Sequence, residues 1–107
     1  MGQTLVIADQ RQAVTITDRA TWLAFSGKIQ LPIMVEKDSA LLNVYHVMPV
    51  NPQKFPGVAI NAAGGQAFAD FMVAPSTQEV IGAFGQDTYG QALFVPDAGK
   101  PESAVGL

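Results

Sequence analysis

Four donor side chains crowd into one short stretch, and together they could hold a small anion. Residues 14–22 read V-T-I-T-D-R-A-T-W. Arg19 offers a guanidinium, whose planar fork can clamp an oxyanion through two parallel charged hydrogen bonds. Thr15, Thr17 and Thr21 add hydroxyls around it. Asp18 is the misfit. A carboxylate ~4 Å from a unit charge at moderate effective dielectric costs ~4 kcal/mol, so Asp18 is expected to turn away, capping the helix or orienting Arg19. The plain alternative for Arg19 is a surface arginine paired with Asp18 or Asp9.

The elements that must position these groups follow from the same residues. Val14, Thr15 and Ile16 form a β-branched run that predicts a buried strand. Thr17 reads as a helix N-cap, which would use its hydroxyl locally and leave its N–H for a ligand. Asp18 then falls in the first helical turn, and Trp22 and Phe25 share one face of the helix. A strand entering a helix directly aims backbone N–H groups at the junction, where an anion is favoured.

The remaining chemistry is thin. His46 is the one histidine and cysteine is absent, which excludes thiolate nucleophiles, disulfides and cysteine-based metal sites. No residue spacing supports a metal, a cofactor, a Ser-His-Asp arrangement or a phosphate loop. No catalytic residue is assigned, and an enzyme is not expected. A hydrolase of phosphate or sulfate esters would lack its nucleophile, base and metal ligands.

The totals fit a packed protein. Of the 107 residues, 49% are hydrophobic and 14% charged, with a net charge of −3. Disorder is excluded, and nucleic acid and anionic membrane surfaces are disfavoured as partners. No apolar run reaches the ~18 residues of a membrane span. The start, Met-Gly-Gln-Thr, lacks the basic and apolar regions of a signal peptide.

Along the chain, residues 2–12 predict a helix, with a strand as the alternative because Leu5, Val6, Ile7 and Ala8 are consecutive, and 18–26 predict a helix stopped by Gly27. Residues 31–35 predict a strand, 36–39 a polar turn and 40–43 a loose helical turn. Residues 43–50, N-V-Y-H-V-M-P-V, make the longest strand candidate. Pro49, Pro52, Pro56 and Gly57 give an extended connection that excludes a helix. A helix over 61–73 carries Phe68, Phe71 and Met72 as its core stripe. Pro75 opens another, with Val80, Ile81 and Phe84 as its stripe and Gly85 as its stop. Residues 92–95 predict a short strand and 96–107 a loose tail. Strands separated by helices predict an α/β fold with a mixed sheet.

The segments T-I-T-D-R-A-T-W-L-A-F, L-P-I-M-V-E, N-V-Y-H-V-M-P-V-N-P, F-A-D-F-M-V-A-P-S-T-Q-E-V-I-G-A-F-G and Y-G-Q-A-L-F-V-P-D-A, in this order, resemble the C-terminal portion of the tungstate-binding proteins of ABC transporters. The likeness runs over residues 2–100. It implies a partial two-lobed periplasmic-binding-protein fold of type II, a mixed sheet flanked by helices. By resemblance, residues 1–50 are part of the second lobe carrying the anion-site strand and helix. Residues 51–60 are the hinge crossover, and residues 61–107 are the C-terminal helices and tail.

The same resemblance implies a receptor that binds a tetrahedral oxyanion, tungstate or molybdate, between lobes and delivers it to a transporter permease. The ligand set it implies is Thr17, Arg19, Thr15, Thr21 and Tyr45; related oxyanion receptors place a donor tyrosine on the corresponding long strand. A phosphate or sulfate receptor is the near alternative, and a sensory or structural module using residues 50–57 is the distant one. The implied location is periplasmic, or extracellular and lipid-anchored, with the signal sequence outside this piece and the membrane met only through the transporter. The family's first half, with a hydroxyl-rich Thr/Ser segment and an upstream arginine-containing segment, has no counterpart here. The chain is therefore expected to supply one wall of the cleft, and a dimer or domain swap is expected to hide the surface that the other lobe would cover.

Overall fold

The computed structural model describes residues 1–106, in two compact units, one over residues 1–43 and the other from residue 44 onward. In the first, α1 (Gly2–Arg11) and α2 (Arg19–Phe25) pack together. Leu5 and Ala8 form the buried face of α1, joined by Ile29 from the loop after α2. Gly2 permits the closest approach, because a Cβ there would lie 2.3 Å from the Phe25 ring. The helix ends at Gln12, which is left-handed at φ 51°, and whose N–H donates to the carbonyls of Ala8 and Asp9.

Two hydrogen bonds tie the loop after α2 to the helices. The Trp22 indole N–H donates to the Leu31 carbonyl at 3.0 Å, and the Gln30 N–H donates to Asp9 Oδ1 at 2.8 Å. Trp22 thus spends its polar edge on structure, as a half-buried indole usually does. The chain then makes a single 3₁₀ turn, Ser39–Leu41, capped by Asp38.

In the second unit, α3 (Ala62–Val73) and α4 (Pro75–Ala83) meet at Ala74, and α5 (Gln86–Tyr89) comes next. Asn61 caps α3 by accepting the Gly64 N–H, and Pro75 opens α4 where its missing N–H is harmless. Gln78 ties α3 and α4 to the C-terminal segment. Its side-chain amide donates to the Met72 carbonyl and accepts the Ala98 N–H. Asp97 accepts the Gly106 N–H and pairs with Lys100. The segment expected as a loose tail is therefore pinned by side-chain bonds up to Gly106.

The expected α/β fold with its mixed sheet is not present. Among the described residues every regular element is helical. The four predicted strands, over 13–17, 31–35, 43–50 and 92–95, carry no ladder. Branched side chains stiffen a backbone toward the extended form, but a strand also needs a neighbour ~4.8 Å away to take its N–H and C=O groups. A helix closes those bonds within itself, which is why the helical expectations fared better. The connection expected to exclude helix holds one short 3₁₀ turn, Pro52–Lys54.

Burial differs from expectation in the same direction. Val14 is 90% exposed, Ile16 73% and Met48 80%. Of the expected stripes of α3 and α4, Phe71 is 60% exposed and Phe68, Val80 and Phe84 are exposed beside it, while Met72 and Ile81 are half-buried. Ala69 is the buried residue of α3.

Candidate anion site

The strand-to-helix corner expected at residues 14–22 becomes an irregular segment running into α2. The cap is Asp18, not Thr17. Its carboxylate accepts the Thr21 N–H at 2.6 Å and the Thr21 hydroxyl at 2.8 Å. An Asp at this position suits the geometry, because its oxygens reach the otherwise orphaned N–H groups of the first turn. Those bonds, the Thr21 N–H first, hold the Asp18 carboxyl below its ordinary range, with partial burial opposing them. Thr21 is consequently committed to the chain's own carboxylate.

Moving the cap to Asp18 releases Thr17. Its hydroxyl oxygen is buried and has no hydrogen-bond partner among the described residues. A buried hydroxyl without a partner is costly and uncommon, so a group bound beside it would be favoured. Thr15 is half-buried on the same segment.

Arg19, the first residue of α2, is paired with Glu36. The bond runs from one guanidinium nitrogen, Nη2, to Glu36 Oε2, so much of the fork is not engaged by this pair. Both side chains are partly open to solvent, at 38% and 40%. Arg19 in turn holds the Glu36 carboxyl below its ordinary range, by the hydrogen bond first and the charge attraction second. Lys37, directly after Glu36, is left-handed at φ 62°, an unusual conformation for a side-chain-bearing residue.

Glu36 is the residue that sequence reading missed at this site. It lies 17 positions from Arg19, within a segment expected as a polar turn, and no local periodicity links the two. Asp18 and Asp9, weighed as partners for Arg19, are engaged elsewhere, with Thr21 and Gln30.

Tyr45 belongs to the second unit, where its ring meets Phe94 edge-on and is largely exposed. No cluster of His, Asp and Glu among the described residues could hold a metal. A shallow cleft of about 220 Å³ in the second unit is lined by Phe71, Ser76, Thr77 and Val80, with no charged group. No helix among the described residues is long and apolar enough to cross a membrane.

No family model and no solved structure match the chain. Two curated relatives do. The tungstate-binding protein TupA of Peptoclostridium acidaminophilum is 45% identical over 100 residues, covering 94% of this chain and 34% of that protein. A putative ABC transporter anion-binding protein of Haloferax volcanii is 42% identical over 103 residues, covering 92% of this chain and 29% of that protein. The chain thus spans about a third of the length of each. Both relatives are named as binding proteins. Identity at this level along nearly the whole chain establishes common ancestry with a part of these two proteins.

Proposed function

We propose that this chain is part of a solute receptor that captures tungstate, or molybdate, for an ABC transporter. The observation that carries the reading is the 45% identity to a tungstate-binding protein over 94% of the chain. Local chemistry supports it. Arg19 presents a partly open guanidinium, and the Thr17 hydroxyl, two positions before it, is buried without a partner. A guanidinium supplies charge and a fork of donors, and a hydroxyl adds a neutral donor, which suits a tetrahedral dianion. Thr15, half-buried on the same segment, stays in the proposed ligand set as a further donor. Thr21 belongs to it through reorganisation only, since Asp18 holds it now.

The receptor works by binding alone. Its chemistry is a choice among oxyanions by size and donor placement, and its partners are the anion and a transporter permease. Such a protein acts outside the cytoplasmic membrane, in the periplasm or anchored at the cell surface.

The test is thermal denaturation of the chain with tungstate, molybdate, sulfate or phosphate added. A ligand at 100 times its Kd stabilises the folded state by about 2.7 kcal/mol. A rise in Tm with tungstate or molybdate, lost in Arg19→Gln, is the expected result. A rise with phosphate or sulfate alone identifies the other kind of oxyanion receptor. An unchanged Tm with all four anions defeats the reading for this chain.

A further inference from the structure

We propose that Glu36 sets the anion affinity of this site by occupying Arg19 in the empty state, as an internal competitor that the incoming oxyanion displaces. The inference rests on the oxyanion reading and deepens it.

Three features of the pair support displacement over a fixed structural role. The first is how the guanidinium is held. Arg19 meets Glu36 through Nη2 alone, while a carboxylate used as a permanent anchor for arginine commonly takes two parallel bonds. A tetrahedral oxyanion can take both prongs and so replace a weaker hold with a stronger one. The second is exposure. Both partners are partly solvated, so the pair contributes little to stability and its opening is correspondingly easy. The third is the backing of each residue. Arg19 sits at the start of a helix whose cap is already satisfied by Asp18, so its position does not depend on Glu36. Glu36 lies on an exposed segment between the Trp22–Leu31 bond and the Ser39–Leu41 turn, just before left-handed Lys37. It can swing outward without breaking either.

The consequence is a sign. If Glu36 only braced Arg19, removing its charge would loosen the guanidinium and weaken anion binding. If it competes, removing its charge frees the fork and also removes repulsion against a dianion. The proposal requires the second. Neutralising one carboxylate at hydrogen-bond range of a bound dianion, at a partly screened site, corresponds to a gain on the order of tenfold in affinity.

Titration calorimetry of the full chain with sodium tungstate tests this, using the natural chain, Glu36→Gln, Arg19→Gln and the double variant. The expected result is binding about tenfold tighter in Glu36→Gln, with the gain abolished in the double variant. Binding by Glu36→Gln where the natural chain gives no heat also supports the proposal. Unchanged or weaker binding by Glu36→Gln, with the natural chain binding, overturns the proposal and leaves the oxyanion reading standing. A gain that survives in the double variant overturns it too, since the effect would not pass through Arg19. Absence of binding in the natural chain and in Glu36→Gln defeats the oxyanion reading and the proposal with it.

Discussion

Asp18 and Thr21 are joined twice: the carboxylate accepts the Thr21 N–H through one oxygen and the Thr21 hydroxyl through the other. This closed cap fixes where α2 begins. It also decides which donors near the candidate site remain available, because Thr21 is spent on it and Thr17 is not. Asp18→Ala should therefore cost about 1 kcal/mol of stability, the usual loss for an N-cap carboxylate. Urea denaturation at neutral pH measures it. Thr21→Val, which keeps the N–H bond and removes the hydroxyl, should cost less.

The same cap predicts a pH dependence. The Thr21 N–H is the largest influence on the Asp18 carboxyl and lowers its pKa from the ordinary 3.8, against the opposing effect of burial. With the folded-state value below the unfolded one, the unfolded chain binds this proton more tightly. Stability from Asp18 is therefore fully present above 3.8 and is lost as pH falls through the folded-state value. Glu36 is shifted the same way by Arg19. Asp18→Asn keeps a capping oxygen and loses the charge. Its stability relative to the natural chain should accordingly improve as the pH is taken down from about 5 toward about 2, on the order of the carboxylate window. A constant difference across that range would show that the carboxylate is not preferentially ionised in the folded state.

Gly85 and Gly27 should respond to alanine in opposite directions. Gly85 ends α4 and begins α5 at φ 93°, and a Cβ there would lie 2.5 Å from Leu93 Cγ. Gly85→Ala meets both a forbidden backbone region and a packed side chain, and should cost about 1–3 kcal/mol. At Gly27 an added Cβ would have nothing within 4 Å, and φ is not positive. Gly27→Ala should be neutral or stabilising by up to about 1 kcal/mol, through the unfolded chain. Thermal melts of the two variants side by side check both signs.

The residues disclose most where the chain acts locally. Pro75 at the start of α4, Asn61 before α3 and Gly85 after α4 all act within a turn or two of themselves. Asp18 displaces Thr17 as cap because two acceptors compete for the same N–H groups, and the stronger one sits one residue later. The strands fail for a different reason. The runs around Ile16 and Val47 have the composition of strands, and composition carries no information on whether a neighbour is in reach. The stripes of α3 and α4 fail likewise, since Phe71 and Val80 show an apolar face and not what covers it. At the site, Arg19 is legible as a charged donor, while Glu36 depends on how the chain folds back after Trp22.

The core of the first unit is small enough that one residue dominates it. Leu5 is 2% exposed, the most buried of the hydrophobic residues described, with Ala8 and Ile29 beside it. Leu5→Ala removes its contacts and leaves a void that neighbours fill in part, at a cost of about 2–5 kcal/mol. That range matches much of the stability of a small domain, so loss of the first unit's helices is expected. Far-UV circular dichroism should show partial loss of helix, with α3 and α4 retained. Complete unfolding would mean that the two units do not melt independently.

Self-association is the last expectation, and it comes from the apolar groups left uncovered. Val14, Ile16, Met34, Met48 and Val50 are exposed on segments that form no β-ladder among the described residues. Exposed apolar, β-branched segments outside any sheet are the usual templates for intermolecular strand pairing. The exposed α3–α4 stripe adds a second apolar surface to the same hazard. Sedimentation velocity should show a dimer or larger species growing with concentration, with strand signal rising in the infrared amide band as it forms. Ile16→Lys and Met48→Lys place charges on exposed positions that no described packing uses, so they should reduce association and leave the helical signal intact. A monomer at high concentration in the natural chain would mean that these segments are covered within the chain itself.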